Sequence, residues 1–356
     1  GHASFLTGDC ASAISTYDQL IREAQTNIGP GSDLDAVGQV LKAELLSIRG
    51  DTEAAAETLG WALPHLERHD TWFDLLAAGF MAEQRILRMR GDHLAAHAAM
   101  DRVRAVARRR GFDRLIRLVD GERALLLLAS GNLAQAIRHA EANGFGAQAE
   151  ASDRANALSI HLRGVTPSLF WTRAYLALGE PSKARDVFNR LITRQAQRPH
   201  TMRAIELELI EIGLLTAEGR ADLAATRLSD LVLTMPLADY RTLLHLEHAV
   251  RLADLRVLAD HPAVADITRK RLESLLVIAD EAQRASTGED MSGFTSRERK
   301  VMELLSAGLS NKEIGRALKL SDNTIKFHLR NIFAKLNVST RTAAVSVARD
   351  KGILSR

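Results

Sequence analysis

The side chains with the clearest chemical potential lie in a segment that runs from Ser321 to Leu336. At 100° per residue, its apolar residues fall within about 40° of one line, which predicts a buried helical stripe. That stripe consists of Ile325, Leu329, Ile332 and Leu336. The opposite face carries Asn323, Lys326, Phe327, Arg330 and Ala334. A basic side chain can donate to guanine O6 and N7, and a phenyl edge can contact a thymine methyl, so this face suits base recognition in the major groove of DNA.

Lys326, Phe327 and Arg330 are therefore the candidates for base contacts. Phe327 has an alternative role in packing against a neighbouring helix, which its position opposite the apolar stripe disfavours. A second polar set lies at helix starts and flanks, where phosphate contacts fix the register without reading sequence. The candidates for phosphate contacts are Asn311, Thr324, Asn331, Lys335 and Arg341. Each of them alone is more often a solvated surface residue, and only as a set do they favour phosphate contacts.

Two sequence motifs place the helices that must hold these residues. Thr295 to Glu298 and Ser310 to Glu313 are capping boxes, in which a hydroxyl and a carboxylate satisfy free amides at a helix start. The second box opens a short helix that ends at Leu318, and Lys319-Leu320 makes a turn before Ser321 starts the next helix. Two helices joined by such a turn in a basic module are typical of a helix-turn-helix unit.

Charge is distributed unevenly along the chain. Residues 294–356 carry 13 Lys+Arg and 5 Asp+Glu, a net charge of +8, whereas the rest of the chain has a net charge of −5. A basic module on a mildly acidic body indicates an anionic partner, and nucleic acid is the first candidate. A solvated basic terminus is the alternative.

The motifs of residues 294–341 resemble the LuxR-type DNA-binding domain over about 60 residues. The resemblance is carried by FTSRERKVMELLSAGLSNKEI from Phe294, SDNTIKFHLRNI from Ser321, KLNV from Lys335, and Arg341. It implies base contacts from Lys326, Phe327 and Arg330. It also implies a dimer through the last helix, from Thr340 to Lys351. The candidates for that interface are Val345, Ala348 and Arg349.

The remainder of the chain has an internal repeat. Glycine precedes a polar turn at intervals of 40 to 48 residues, at Gly8, Gly50, Gly91, Gly131, Gly179 and Gly219. A left-handed glycine cap after one helix and small residues in the next, such as Ala54, Ala95, Ala136 and Ala184, predict helical hairpins. We expect six or seven hairpins between residues 3 and 285, each stacking on its neighbours in an all-α solenoid.

The repeat resembles the tetratricopeptide class, and most of all the tetratricopeptide-like superhelix of the large ATP-binding LuxR-type regulators, the family of the maltose-regulon activator. Helical repeats of another family are the alternative. The resemblance implies an ATP-binding domain, but no Gly-Lys dipeptide, and hence no P-loop, is present here. Such a domain is therefore expected either upstream of residue 1 or not at all. The predicted organisation is a repeat domain at 1–285, a linker at 286–293 and a four-helix DNA-binding domain at 294–356.

Other sites have weaker support. His65 with His69, and His245 with His248, have helical spacings that could share a metal, but no carboxylate or cysteine set completes a site, so no metal or cofactor is expected. No catalytic constellation is present, and the chain is not expected to be an enzyme. Candidates for an effector or partner surface on the repeats are Arg104, Arg108, Trp171 and Tyr175. A solvated face for the arginines and buried packing for the aromatic rings are the alternatives.

These patterns predict a cytoplasmic DNA-binding transcriptional regulator. Its one cysteine excludes a disulfide framework, and its longest apolar run, from Ala124 to Ala129, is too short to cross a membrane. The expected partners are double-stranded DNA, bound as a homodimer, RNA polymerase, and a small-molecule effector or regulatory protein on the helical repeats. The alternative is a helical-repeat adaptor whose basic tail only docks to a partner or binds nucleic acid without specificity.

Overall fold

The computed structural model confirms an all-α chain in the part that it describes. The described residues are 1–69, 71–146, 164–194, 201–247, 252–286, 296–318, 325, 329, 332, 333, 336, 338 and 340–350. They fall into two compact units, which are described separately below. The first unit comprises residues 1–86 and 106–278, and the second comprises residues 87–105 and 279–356.

The described helices before residue 287 follow one another along the chain. In the first half they are α1 His2–Leu6, α2 Cys10–Asn27, α3 Asp33–Arg49, α4 Thr52–Arg68, α5 Phe73–Met89, α6 His93–Arg110, α7 Asp113–Ala129 and α8 Leu133–Ala142. In the second half they are α9 Pro167–Ala177, α10 Pro181–Arg194, α11 Thr201–Ala217, α12 Ala221–Thr234, α13 Arg241–Leu246, α14 Leu252–Ala259 and α15 Asp266–Ser286. None of the described helices is both long and apolar enough to cross a bilayer.

The repeated glycines form left-handed turns, as predicted. Gly8, Gly50, Gly91, Gly131, Gly179 and Gly219 all have a positive φ, between 64° and 92°. The residue after each of the last five donates its backbone N–H to a carbonyl five residues earlier. In the first of these turns Asp51 donates to Leu46 at 3.0 Å, and in the last Arg220 donates to Leu215 at 2.9 Å. This pattern closes the end of one helix and releases the chain into the next.

A buried alanine lies five residues after each of these glycines. The six residues are Ala13, Ala55, Ala96, Ala136, Ala184 and Ala224, and each has a relative exposure of 0%. Ala136 and Ala184 were predicted to be small packing residues of the second helix in a hairpin, and their burial confirms this. The predictions of Ala54 and Ala95 were wrong by one residue, since Ala54 is exposed and Ala95 is only half-buried. Moving by one residue along a helix turns the side chain by 100° about the helix axis, which is enough to take it off the packed face.

The first unit also contains contacts that a stack of nearest neighbours does not predict. One apolar cluster combines residues from the first three helices with residues between Met202 and Leu276. The hydroxyl of Tyr240 donates to the Phe5 carbonyl at 3.3 Å, and the Thr242 hydroxyl donates to the Ile48 carbonyl at 2.9 Å. In an open solenoid each repeat contacts only its neighbours, so these contacts between distant hairpins are a departure from the expected arrangement.

A network of buried charges links α9, α11 and the end of α13. The Arg173 guanidinium donates to both carboxylate oxygens of Glu247, at 2.7 and 2.6 Å, and to Glu206 at 2.6 Å. Arg203 also donates to Glu206. Burial disfavours the charged form of Arg173, but the charges of Glu247 and Glu206 outweigh it and raise the pKa of this guanidinium. The paired carboxylates thus keep a cation inside the helical stack.

The second unit has an apolar cluster of its own. The cluster contains residues from Val301 to Ala348, together with Leu94, which is 4% exposed. The predicted linker begins at Ser286, which is the last residue of α15, and residues 287–293 lie outside the described part of the chain. The predicted domain boundaries therefore stay a prediction.

Candidate nucleic-acid interface

Three helices and five further helical positions contribute residues to the apolar cluster near the C-terminus. The helices are α16 (Ser296–Ser306), α17 (Asn311–Leu318) and α18 (Arg341–Asp350). Between α17 and α18 the described helical positions are Ile325, Leu329, Ile332, Phe333 and Leu336. On α16, Val301, Met302 and Leu305 are buried and Leu304 packs against the cluster, so one side of that helix is apolar and faces the core.

The predicted apolar stripe is confirmed. Ile325 and Ile332 have a relative exposure of 0%, Leu336 of 4% and Leu329 of 6%. All four belong to the same cluster as Ile314 of α17. A helix buried along one line presents its opposite positions away from that core, which is the arrangement that a recognition helix requires.

The capping box at the start of α17 is also confirmed. The Ser310 N–H donates to the Glu313 carboxylate at 2.7 Å, and the Glu313 N–H donates to the Ser310 hydroxyl at 3.4 Å. The hydrogen bonds from Ser310 lower the pKa of Glu313, because they stabilise its ionised form. The capping box predicted at Thr295 to Glu298 depends on a hydroxyl that lies outside the described residues. Gly308, with a φ of 83°, ends the preceding turn and so sets the direction in which α17 begins.

A charge-assisted contact joins the starts of α17 and α18. The Arg341 guanidinium donates to the side-chain oxygen of Asn311 at 3.3 Å and to the carbonyl of Leu309. Both Arg341 and Asn311 are partly buried. The structure thus brings together two of the predicted phosphate contacts at one place and gives both of them a structural role.

The comparison with protein families agrees with this geometry. Residues 292–348 match the family described as "Bacterial regulatory proteins, luxR family". Residues 292–348 are a luxR-family domain.

Relatives of this luxR-family domain are named as regulators. The chain is 41% identical over 81 residues to the CsgBAC operon transcriptional regulatory protein of Escherichia coli, covering 23% of this chain and 37% of that protein. It is 33% identical over 94 residues to the nitrate/nitrite response regulator protein NarL of Escherichia coli, covering 26% and 44%. It is 36% identical over 83 residues to the HTH-type transcriptional regulator AlkS of Alcanivorax borkumensis, covering 23% and 10%.

These similarities concern only a part of each protein. The chain spans less than half of the length of the curated relatives that it matches. No solved structure matches the chain. The tetratricopeptide resemblance of the helical hairpins and the upstream ATP-binding domain therefore stay predictions.

Most of the predicted DNA contacts of the luxR-family domain lie outside the described residues. These are the base contacts Lys326, Phe327 and Arg330 and the phosphate contacts Thr324, Asn331 and Lys335. Their assignment stays a prediction that the buried stripe supports. Asn311 and Arg341 are the two phosphate candidates whose positions are described.

The dimerisation candidates on α18 differ in exposure. Ala348 has a relative exposure of 0% and packs in the cluster of its own chain, so its assignment to a dimer interface was wrong. Val345 is partly buried against the same cluster, and Arg349 is exposed. Ala348 was misassigned because a helix of this small domain has to cover the core with one of its faces, and only the structure shows which one.

The predicted effector surface is corrected in one residue. Trp171 is 6% exposed, and its indole N–H donates to the Phe145 carbonyl at 2.6 Å, so it is a packing residue and not part of a surface. Tyr175 is half-buried beside it, with Lys183 Nζ 5.7 Å from its ring centre. Arg108 is exposed and Arg104 is half-buried. Trp171 is stable in this position because its large apolar area is buried and its N–H has a hydrogen-bond acceptor.

Proposed function

We propose that this chain is a transcriptional regulator whose luxR-family domain reads operator DNA in the major groove as a dimer. The observation that carries the proposal is the burial of Ile325, Leu329, Ile332 and Leu336 inside the matched region. A helix with that stripe in the core has the opposite line of positions available for DNA. At 100° per residue, Phe327 falls nearly opposite the stripe, whereas Arg330 and Lys326 fall about 130° and 90° from it. Their side-chain chemistry suits guanine edges and thymine methyl groups.

The charge of the C-terminal module supports the same proposal. Residues 294–356 have a net charge of +8, and duplex DNA carries one negative charge per ~1.7 Å of its axis. Binding should therefore release counterions and weaken steeply as salt rises. The names of the relatives, which are regulators of operons and of a nitrate response, agree with a role in transcription.

We further propose that the helical hairpins at 1–285 respond to an effector or a regulatory protein, and that the bound chain acts on RNA polymerase in the cytoplasm. Stacked helical repeats form extended surfaces that suit such partners. The exposed Arg108 and the half-buried Arg104 and Tyr175 are starting points for mutagenesis of that surface.

Selection of bound sequences from a random DNA pool with the full chain tests the proposal. We expect one operator motif with two related half-sites, since a dimer repeats its contacts by symmetry. Recovery of all sequences alike, with heparin competing as well as any DNA, would contradict sequence reading and would favour the adaptor. Repeating the selection in the presence of cell extract shows whether an effector in the extract changes the fraction of the chain that is bound to DNA.

A further inference from the structure

One cluster of metal-ligating side chains lies at the open end of the α3–α4 hairpin. Asp33, His65 and His69 each place a ligand atom within 4.8 Å of the other two. In the described part of the chain this is the one group of three or more such residues that comes so close together. In the sequence, His65 and His69 have a spacing that could share a metal, but no carboxylate could be assigned to complete the site. The fold supplies that carboxylate, from the first residue of α3.

A short side-chain contact joins α3 and α4 within this cluster. His65 Nε2 lies 2.7 Å from Asp33 Oδ1, although the two residues are 32 positions apart in the chain. The rings of His65 and His69 are stacked, with their centres 4.1 Å apart. Asp33 is 71% exposed and His65 is 18% exposed, so the cluster is open to solvent on one side and anchored on the other.

Neighbouring groups orient the histidines as metal ligands are oriented elsewhere. His69 Nδ1 lies 2.9 Å from the His65 carbonyl oxygen. Because a carbonyl only accepts, this hydrogen bond requires the proton on Nδ1, and in the neutral ring that tautomer leaves the lone pair on Nε2 for a ligand. A backbone carbonyl bonded to the second ring nitrogen is the usual support for a metal-bound histidine. Trp61 packs edge-on against His65, with ring centres 5.8 Å apart.

A separate contact fixes the end of the helix that carries the pair. The Arg110 guanidinium donates to the carbonyl of Glu67 at 2.9 Å and to that of His69 at 2.5 Å, and it also reaches Leu66. These carbonyls belong to the last turn of α4 and to the residue after it, so one cation caps this end of the helix. The backbone of His69 is thereby held just beyond the last turn, while its side chain remains exposed.

We propose that Asp33, His65 and His69 bind one divalent transition-metal ion of the zinc class, which clamps the open end of the α3–α4 hairpin. Two imidazoles and one carboxylate form a zinc-type set, with a water molecule as the fourth ligand. Mg²⁺ and Ca²⁺ prefer sets made only of oxygen ligands. Bond lengths of about 2.0–2.2 Å separate tetrahedral ligand atoms by roughly 3.3–3.6 Å, so small rotations of the exposed Asp33 and His69 complete the site.

Metal binding at this site has a defined proton balance. The proton between His65 Nε2 and Asp33 Oδ1 occupies the position that the metal would take. The metal replaces this proton: an imidazolium releases it to buffer, whereas in a neutral ring the proton moves to Nδ1 with no net release. No other bond is made or broken, apart from the exchange of water in the metal's own shell.

The test uses the tag-free full chain after treatment with a chelator and dialysis. Equilibrium dialysis with Zn²⁺, followed by elemental analysis, should give one ion per chain, and Mg²⁺ should give none. Asp33→Asn, His65→Gln and His69→Gln should each weaken Zn²⁺ binding by at least roughly tenfold. His261→Gln is the matched control, since His261 Nε2 lies 3.4 Å from Asp222 in a pair of one histidine and one carboxylate. It should bind Zn²⁺ as the parent does.

A second measurement needs no variant. Zn²⁺ should slow amide hydrogen exchange at the start of α3 and at the end of α4 in the parent chain, because the ion links the two ends. Saturable binding that all three variants retain, an absence of binding in the parent, or unchanged exchange at both helix ends would each overturn the site. If His65→Gln were less stable than the parent while Zn²⁺ had no effect on the parent, the cluster would be only a hydrogen-bonded pair of His65 and Asp33 and the metal site would be wrong.

Discussion

The Arg341 guanidinium donates a hydrogen bond to the side-chain oxygen of Asn311 across 3.3 Å, and it donates a second one to the Leu309 carbonyl. One side chain at the start of α18 therefore holds the start of α17. In a helix-turn-helix unit the first of the two helices sets how the second one meets DNA. The stability of this contact thus bears on the geometry of DNA binding even where the guanidinium touches no phosphate.

Arg341→Ala should lower the free energy of unfolding of the luxR-family domain by about 1–3 kcal/mol, because it removes charge-assisted hydrogen bonds from partly buried acceptors. Urea unfolding of the full chain, monitored by amide hydrogen exchange at residues of α17, measures this change in the free energy of unfolding. The exposed Arg349, on the same helix, is the control, and its change to alanine should alter stability by less than about 0.5 kcal/mol. Equal losses in the two variants would contradict a structural role for Arg341.

Arg330→Ala should weaken binding to the selected operator by about 1–3 kcal/mol and relax the preference at one base position. Lys335→Ala should instead weaken operator and random DNA alike, and should reduce the slope of log K against log salt by about 1. Fluorescence anisotropy with both DNAs over a range of salt concentrations separates the two effects. If neither variant differed from the parent on either DNA, the predicted contacts would be wrong.

The capping box of α17 should make stability depend on pH in the acidic range. The pKa of Glu313 is lowered in the folded chain by its hydrogen bonds with Ser310, so its contribution is present above the unfolded pKa and is lost as pH falls through the folded pKa. In Glu313→Gln the difference in stability from the parent should be visible at neutral pH and should vanish in acid. Ser310→Ala should cost about 0.5–2 kcal/mol at neutral pH. A constant difference between parent and Glu313→Gln at all pH values would argue against this linkage.

Ala55→Leu should destabilise the helical hairpins by about 1–3 kcal/mol, because a larger side chain cannot fit at a position with no exposed surface. The neighbouring Ala54 is exposed on the same helix, and Ala54→Leu should change stability by no more than about 0.5 kcal/mol. Thermal unfolding of both variants, monitored by circular dichroism, provides the comparison. Similar melting temperatures for the two variants would show that this face is not packed as described.

Local features were the most predictable from the sequence. The capping box at Ser310 and Glu313 and the stripe from Ile325 to Leu336 are relationships within one helix, and both are confirmed. The glycine turns were also predictable, because few residues other than glycine adopt a positive φ at low cost. Which of two adjacent alanines faces the packed side was not predictable, since the phase of a helix depends on where its first turn begins.

The sequence by itself determined the helices, their turns and the DNA-binding family of the C-terminal domain, because these depend on spacings of a few residues and on a motif of about 60 residues. Only the tertiary structure decided that Phe5 meets Tyr240, that Asp33 joins His65, that Trp171 is buried and that Ala348 faces its own core. Contacts between distant residues depend on the summed angles of many helix packings and turns. No local spacing in the chain encodes that sum.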